Sequence, residues 1–288
     1  MPVVPIIIPF YREYAKLEKC KAAIAAQSYG DCEVFVRDNT HDNILFTAAV
    51  NEGLAKYCWR PDVHYVVVLN QDAYMRPDCV RQLVDFMDAH PECGIACPLQ
   101  CAEDGRTVTW GGSYEAFPFG RHRKDPLASY SEPFETFWAN GACMMIRTET
   151  LREVGLFDRN LRFICSDSDF SFTARARGWK VFVVPQAVAQ HSLAASSQAS
   201  LEISLVKCRD ALYFAEKWLT GGLYRQLSFE GPGLSRIGVR QWAERMRHDV
   251  RMIERQAGAA PSVDPEASLL SLMAEMHQPP QPRRPGRF

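Results

Sequence analysis

Apolar runs and helical periodicities alternate along the first third of the chain. Val3-Val4-Pro5-Ile6-Ile7-Ile8 is a short β-branched run closed by Pro9. From about Tyr14 to Gln27 apolar positions recur at helical spacing, with Leu17, Cys20 and Ile24 on one face. Glu33 to Arg37 predicts a second strand, ending in the polar cluster Asp38-Asn39-Thr40-His41-Asp42-Asn43. A second helical pattern covers about Phe46 to Tyr57. His64 to Leu69 is apolar without alternation, as in a strand buried on both faces, and stops at Asn70-Gln71-Asp72. Pro77 to His90 predicts a third helix, with Pro91 past its end, and Ile95 to Pro98 a fourth strand. This order predicts an α/β fold: a Rossmann-like, mostly parallel central sheet with flanking helices. Such sheets bind ligands beyond the carboxyl ends of their strands, and Asp38 and Asp72 both fall there.

The pattern is mixed further on. Residues 102–137, rich in Gly, Pro, aromatics and charge, predict loops or small antiparallel strands over a site. Phe137 to Ile146 predicts a strand entered through a polar turn at Asn140-Gly141. A helix from Thr148 to Val154 should stop at Gly155, and another from Ser168 to Arg177 at Gly178. Val181 to Pro185 predicts a strand leading to His191. Ser200 to Trp218 and Val239 to Gln256 read as basic amphipathic helices. The expected organisation is one α/β domain over 1–198 in two halves, 1–100 and 101–198. A helical extension follows over 199–257, then a mostly disordered Pro/Arg-rich tail over 258–288 with one short helix at Glu266 to Met276.

Composition narrows the function classes. The formal net charge is -1, so no global field favours nucleic acid, and an anionic ligand needs a local site. No apolar run approaches the length of about 18 residues that a membrane span needs. The ten cysteines lack CxxC pairing, and without an export signal they read as reduced core thiols of a cytoplasmic protein.

Candidate chemistry lies where strands end or helices begin. Asp38, Asp72, Asp167 and His191 together offer what sugar transfer from a nucleotide diphosphate requires. A carboxylate or His can hold a divalent cation against the diphosphate, and another carboxylate can take the acceptor proton. Each residue also has a plainer reading: Asp38 as a turn former, Asp72 as a helix cap, His191 as a core histidine, and Asp167 and Asp169 as carboxylates at a helix start.

Four landmarks in order then resemble one family. They are Ile6-Ile7-Ile8-Pro9-Phe10-Tyr11; Val36-Arg37-Asp38-Asn39-Thr40; Leu69-Asn70-Gln71-Asp72; and a long stretch on the acceptor side. That stretch runs from Trp138-Ala139-Asn140-Gly141-Ala142 through Val154-Gly155-Leu156-Phe157-Asp158 and Ser166-Asp167-Ser168-Asp169-Phe170 to His191. The sequence from Val3 to about His191 resembles the inverting family 2 glycosyltransferases of the GT-A fold, most like their rhamnosyltransferase branch. The resemblance implies single-sugar transfer from a UDP-, dTDP- or GDP-linked donor to a glycan, lipid-linked or other hydroxyl acceptor. It makes Asp167 the catalytic base and gives Asp72 and His191 to Mn²⁺ or Mg²⁺. Pro9, Tyr11, Asp38, Asn39, Asn70, Gln71, Asn140, Gly141 and Asp169 become substrate contacts, with Asp38 at the base of the nucleotide.

The chain departs from the family pattern at two places. Ser166 stands where a Glu is usual, and Leu45 where a loop glycine is usual. The absence of a QxxRW motif argues against processive synthesis. Two other functions stay open at this level: a sugar-1-phosphate nucleotidyltransferase, and a nucleotide-sugar-binding protein that has lost its base. The basic late helices, with Arg209 and Lys217, are expected to lie on a solvated face or to touch an anionic membrane surface or a diphosphate.

Overall fold

The computed structural model describes residues 2–113, 122–191 and 201–220, with 244, 245, 247, 248, 250–252, 254 and 255. The predicted helix at Glu266 to Met276 and the Pro/Arg tail lie outside the described residues.

The first half follows the expected alternation. Strands β1 (Val4–Phe10), β2 (Cys32–Asp38) and β3 (Tyr65–Leu69) alternate with helices α1 (Tyr14–Ala25) and α2 (Leu45–Tyr57). After the short β4 (Ala73–Met75) come α3 (Cys79–Ala89) and β5 (Cys93–Cys101). The unbroken apolar runs are explained by a core on each face of the sheet. Along β1 and β3, Ile6, Ile8, Val67 and Leu69 pack into one cluster with α1 and α3. Their neighbours Ile7, Val66 and Val68 pack into a second cluster with α2. Helix α2 lies so close to β1 that a Cβ on Gly53 would stand 2.7 Å from Ile7.

The second half adds β6 (Val108–Trp110), β7 (Phe134–Glu135), β8 (Cys143–Arg147), α4 (Thr148–Val154), α5 (Ser166–Ala176), β9 (Lys180–His191) and α6 (Leu201–Phe214). A π-helical turn, Ala215–Thr220, continues α6. The sheet order is β2-β1-β3-β8-β5-β9-β4, with β6 on β5 and β7 on β9. Strands β2, β1, β3, β5 and β9 run in one direction, while β8 runs against β3 and β5. The sheet is therefore mixed, mostly parallel, and continuous across both predicted halves.

Three of the boundaries that differ from expectation bear on the site. The strand predicted from Phe137 begins only at Cys143, because Asn140 turns the chain by accepting the Ala142 N–H at its Oδ1 (2.9 Å). Helix α5 begins at Ser166, which brings Asp167 into its first turn. His191 is the last residue of β9 rather than a residue beyond it. Among the antiparallel pairings, which sequence periodicity does not announce, β3 with β8 and β4 with β9 are the ones that assemble the site.

Candidate active site

At the carboxyl ends of β1 and β3 lies a cleft of about 820 Å³. Strand register builds its floor. In the β3–β8 pair Leu69 faces Cys143, so the next residue, Asn70, donates its N–H to the Ala142 carbonyl (2.8 Å). In the β4–β9 pair Ala73 faces His191, which sets Asp72 beside the imidazole. His191 Nε2 is 3.6 Å from Asp72 Oδ1. On its other side, Gln100 Oε1 accepts from His191 Nδ1–H (3.2 Å). Partial burial pushes the Asp72 carboxyl up, but the bond and charge of His191, with the charge of Lys16, hold it below the ordinary carboxylate range.

The opposite wall is α5 and the loop before it. Asp167 Oδ2 accepts the Gly141 N–H (2.8 Å) and Oδ1 accepts the Ser168 N–H (2.8 Å). Burial raises the Asp167 carboxyl above its ordinary value, and the backbone donors only moderate the rise. A side chain would be tight here: a Cβ at position 141 would stand 3.2 Å from Asp167 Oδ2. Ser166, at the position of the usual Glu, is buried and also lines the cleft.

The structure gathers most of the predicted residues and sets two apart. Pro9, Tyr11, Asn39, Asn70, Gln71, Asp72, Asn140, Gly141, Asp167 and His191 line the one cleft. Asp38 does not: it is exposed, and its Oδ1 accepts the Thr40 N–H (2.8 Å), so Asn39 forms the wall in its place. Asp169 is the second residue set apart. Its carboxylate is buried against Lys217 Nζ (2.7 Å) and Trp218 Nε1 (2.6 Å), away from the cleft lining. Lys217 therefore belongs to a buried cluster, completed by Asp158 (2.9 Å), and is no free diphosphate clamp. Arg209 pairs with Glu254 and Arg247 with Glu216, which removes positive charge from the predicted basic face. Trp110 and Trp138 are core residues with ring centroids 6.3 Å apart. Gln71 has a role within the protein: its Oε1 accepts the Tyr11 N–H (2.6 Å) and its Nε2 donates to the Tyr11 carbonyl (3.2 Å).

A further mark of the cleft has no compositional signal. Arg12 (φ 59°), Leu45 (φ 67°) and Cys165 (φ 64°) are the non-glycine residues of positive φ among the described residues, and all three line it. Each costs about 1–3 kcal/mol, and strain of this kind concentrates at working sites. Leu45 thus holds a left-handed backbone, a conformation that glycine adopts without steric cost.

Among the described residues no group of three or more His, Cys, Asp or Glu side chains converges to hold a metal ion. The Asp72–His191 pair fits a cation of another kind. Two ligands about 2.1 Å from one ion stand about 3 Å apart at a right angle, and Mg²⁺-like ions commonly use one or two protein ligands plus substrate phosphates.

A family model described as Glycosyl transferase family group 2 matches residues 65–258. The chain belongs to this family. The N-acetylglucosaminyl-diphospho-decaprenol L-rhamnosyltransferase of Mycobacterium tuberculosis is 23% identical over 242 residues, covering 68% of this chain and 78% of the relative. Among solved structures, the mannosyltransferase PcManGT of Pyrobaculum calidifontis, in complex with GDP-Man and Mn²⁺, matches with a TM-score of 0.52 at 17% identity. That match covers 96% of this chain and 80% of the other. GalNAc-T7, with UDP, GalNAc and Mn²⁺, matches with a TM-score of 0.54 at 14% identity, over 87% of this chain and only 55% of that one. These likenesses establish the GT-A fold, and with the family they make the chain a glycosyltransferase.

Proposed function

We propose that this glycosyltransferase moves one sugar from a nucleotide diphosphate donor to an acceptor hydroxyl with inversion, using Asp167 as base. The observation that carries the reading is one cleft in which the Asp72–His191 pair and Asp167 stand on different walls. The donor lies over the floor: the nucleotide against Pro9, Tyr11 and Asn39, and the diphosphate toward Asp72 and His191. Those two residues would hold a Mn²⁺ or Mg²⁺ ion, whose charge offsets that of the departing diphosphate. The Mn²⁺ in the two structural neighbours supports this use without choosing between the ions.

On the other wall, Asp167 takes the proton of the acceptor hydroxyl. The acceptor oxygen forms the bond to the anomeric carbon as the bond from that carbon to the diphosphate oxygen breaks. The nucleoside diphosphate leaves with the electron pair, and one displacement inverts the centre. Burial raises the proton affinity of Asp167, which suits a base, and the Gly141 and Ser168 N–H groups fix its direction. A lipid-linked diphosphate acceptor is the class named for the mycobacterial relative, and we extend it to this chain as the first to try.

Release of nucleoside diphosphate from UDP-, dTDP- and GDP-sugars, with Mn²⁺ or Mg²⁺, tests the reading. The wild type should turn over at least one donor, and Asp167→Asn should lose about 10²- to 10⁴-fold. Equal turnover by Asp167→Asn would sink the base assignment. No turnover and no nucleotide binding by the wild type would sink the whole proposal.

A further inference from the structure

Three consecutive backbone N–H groups converge on one buried carboxylate outside the cleft. Asp210, in α6, is 1% exposed. Its Oδ1 accepts the N–H of Arg162 (3.0 Å), and its Oδ2 accepts those of Phe163 (2.6 Å) and Ile164 (2.9 Å). No backbone carbonyl of the described residues accepts from these three groups. A carboxylate has the lone pairs to take all three at once, and its charge strengthens each bond. Nothing smaller or neutral does so in the same space.

What Asp210 holds is the acceptor-side wall. Phe163, Ile164, Cys165, Ser166 and Asp167 line the cleft as an unbroken run. The three bonded N–H groups lead directly into the left-handed Cys165 and the first turn of α5, where Asp167 sits. Helix α6 also reaches the cleft itself. Ile203 and Lys207 line it, and with Asp210 they fall at spacings of four and three residues, on one stripe of the helix. The floor is fixed differently: Asp72 and His191 are set by strand register.

We infer that Asp210 is a positioning residue for the transfer step: through the 162–164 backbone it sets the wall that meets the acceptor and the direction of Asp167. Helix α6 is then part of the acceptor site rather than an appendage. The inference rests on the glycosyltransferase reading above for what the wall does, but not for whether Asp210 holds it.

The test uses the full chain with Asp210→Ala and Asp210→Asn, and three readouts. The first is amide hydrogen exchange over 162–164. The second is the affinity for UDP, dTDP and GDP with Mn²⁺. The third is nucleoside diphosphate release from the corresponding sugar nucleotides, with water as the acceptor. Asp210→Ala should exchange those amides about tenfold faster or more, and kcat for release should fall at least about tenfold. Nucleoside diphosphate affinity and donor KM should stay within about twofold. Asp210→Asn keeps one acceptor oxygen and should fall between; it also carries the test if the alanine variant does not fold. Unchanged exchange at 162–164 would overturn the inference, as would faster exchange with undiminished release. A loss of nucleotide affinity as large as the loss of release would also overturn it, since that marks damage to the whole fold. If the wild type neither binds nor cleaves any donor, the functional reading fails while the exchange measurement still decides what Asp210 holds.

Discussion

The proposed donor and acceptor sides of the cleft hold their carboxylates in opposite ways. Asp72 stands at a strand end with a 17% exposed side chain, and nearby positive groups keep its carboxyl below the ordinary range. Asp167 sits in the first turn of α5, and burial lifts its carboxyl despite two backbone donors. One environment keeps a carboxylate charged, as facing a cation requires; the other gives it proton affinity. The supports differ too. Sheet register sets Asp72 and His191, whereas side chains reaching distant backbone hold the wall that carries Asp167. Asp210 holds 162–164, and Asn51 Nδ2 and Oδ1 clasp the Phe157 carbonyl (2.9 Å) and N–H (3.0 Å). The acceptor side should therefore be the part that point substitutions disturb selectively.

The largest effects should separate the two carboxylates. Asp72→Ala is expected to lower turnover on the order of 10³-fold or more and to abolish the metal-dependent part of nucleoside diphosphate binding, as read by calorimetry with and without Mn²⁺. Next in size is the docking of α6. Lys217→Met leaves the buried Asp169 and the half-buried Asp158 without their shared cation, and denaturant unfolding should show a loss of about 3 kcal/mol. A smaller effect comes from Gly141→Ala. The added methyl presses on Asp167 Oδ2, so kcat should drop about tenfold while nucleotide affinity holds; an equal loss of both would erase the difference between the sides.

The smallest effect is in pH. A base works deprotonated, and Asp167 takes its proton at a higher pH than an ordinary carboxylate does. With metal saturating, turnover should fall on acidification at a pH above the usual carboxylate value of about 4. For stability the sign is opposite to that of a salt-bridged aspartate. The raised value favours the fold at low pH, and the advantage is lost as pH rises through it, when the buried charge forms. An acid limb at the ordinary carboxylate value would remove the contrast with Asp72.

Much of this was legible in the sequence because local pattern decides it. The apolar runs of β1 and β3 announce strands buried on both faces, and Asn70-Gln71-Asp72 follows one of them directly. What stayed hidden depends on direction and distance. A run such as Cys143–Arg147 reads the same for either strand direction, so the reversal of β8, which joins the two walls, has no periodic signal. Asp38 and Asn39 are neighbours of equal promise, and only the turn at Thr40 decides which one faces the cleft. Asp167 and Asp169 both open a helix, yet the latter faces Lys217 and Trp218, nearly fifty residues away in the chain. Asp210 is equally remote from the backbone it holds.

The most direct test of the divided site is one titration on three proteins. Nucleoside diphosphate affinity, with and without Mn²⁺, is measured for the wild type, Asp72→Asn and Asp167→Asn, each also assayed for donor cleavage. The account predicts that Asp72→Asn loses the Mn²⁺-dependent affinity and the cleavage together, while Asp167→Asn keeps the affinity and loses only the cleavage. Retention of Mn²⁺-dependent affinity by Asp72→Asn, or its loss in Asp167→Asn, would contradict it.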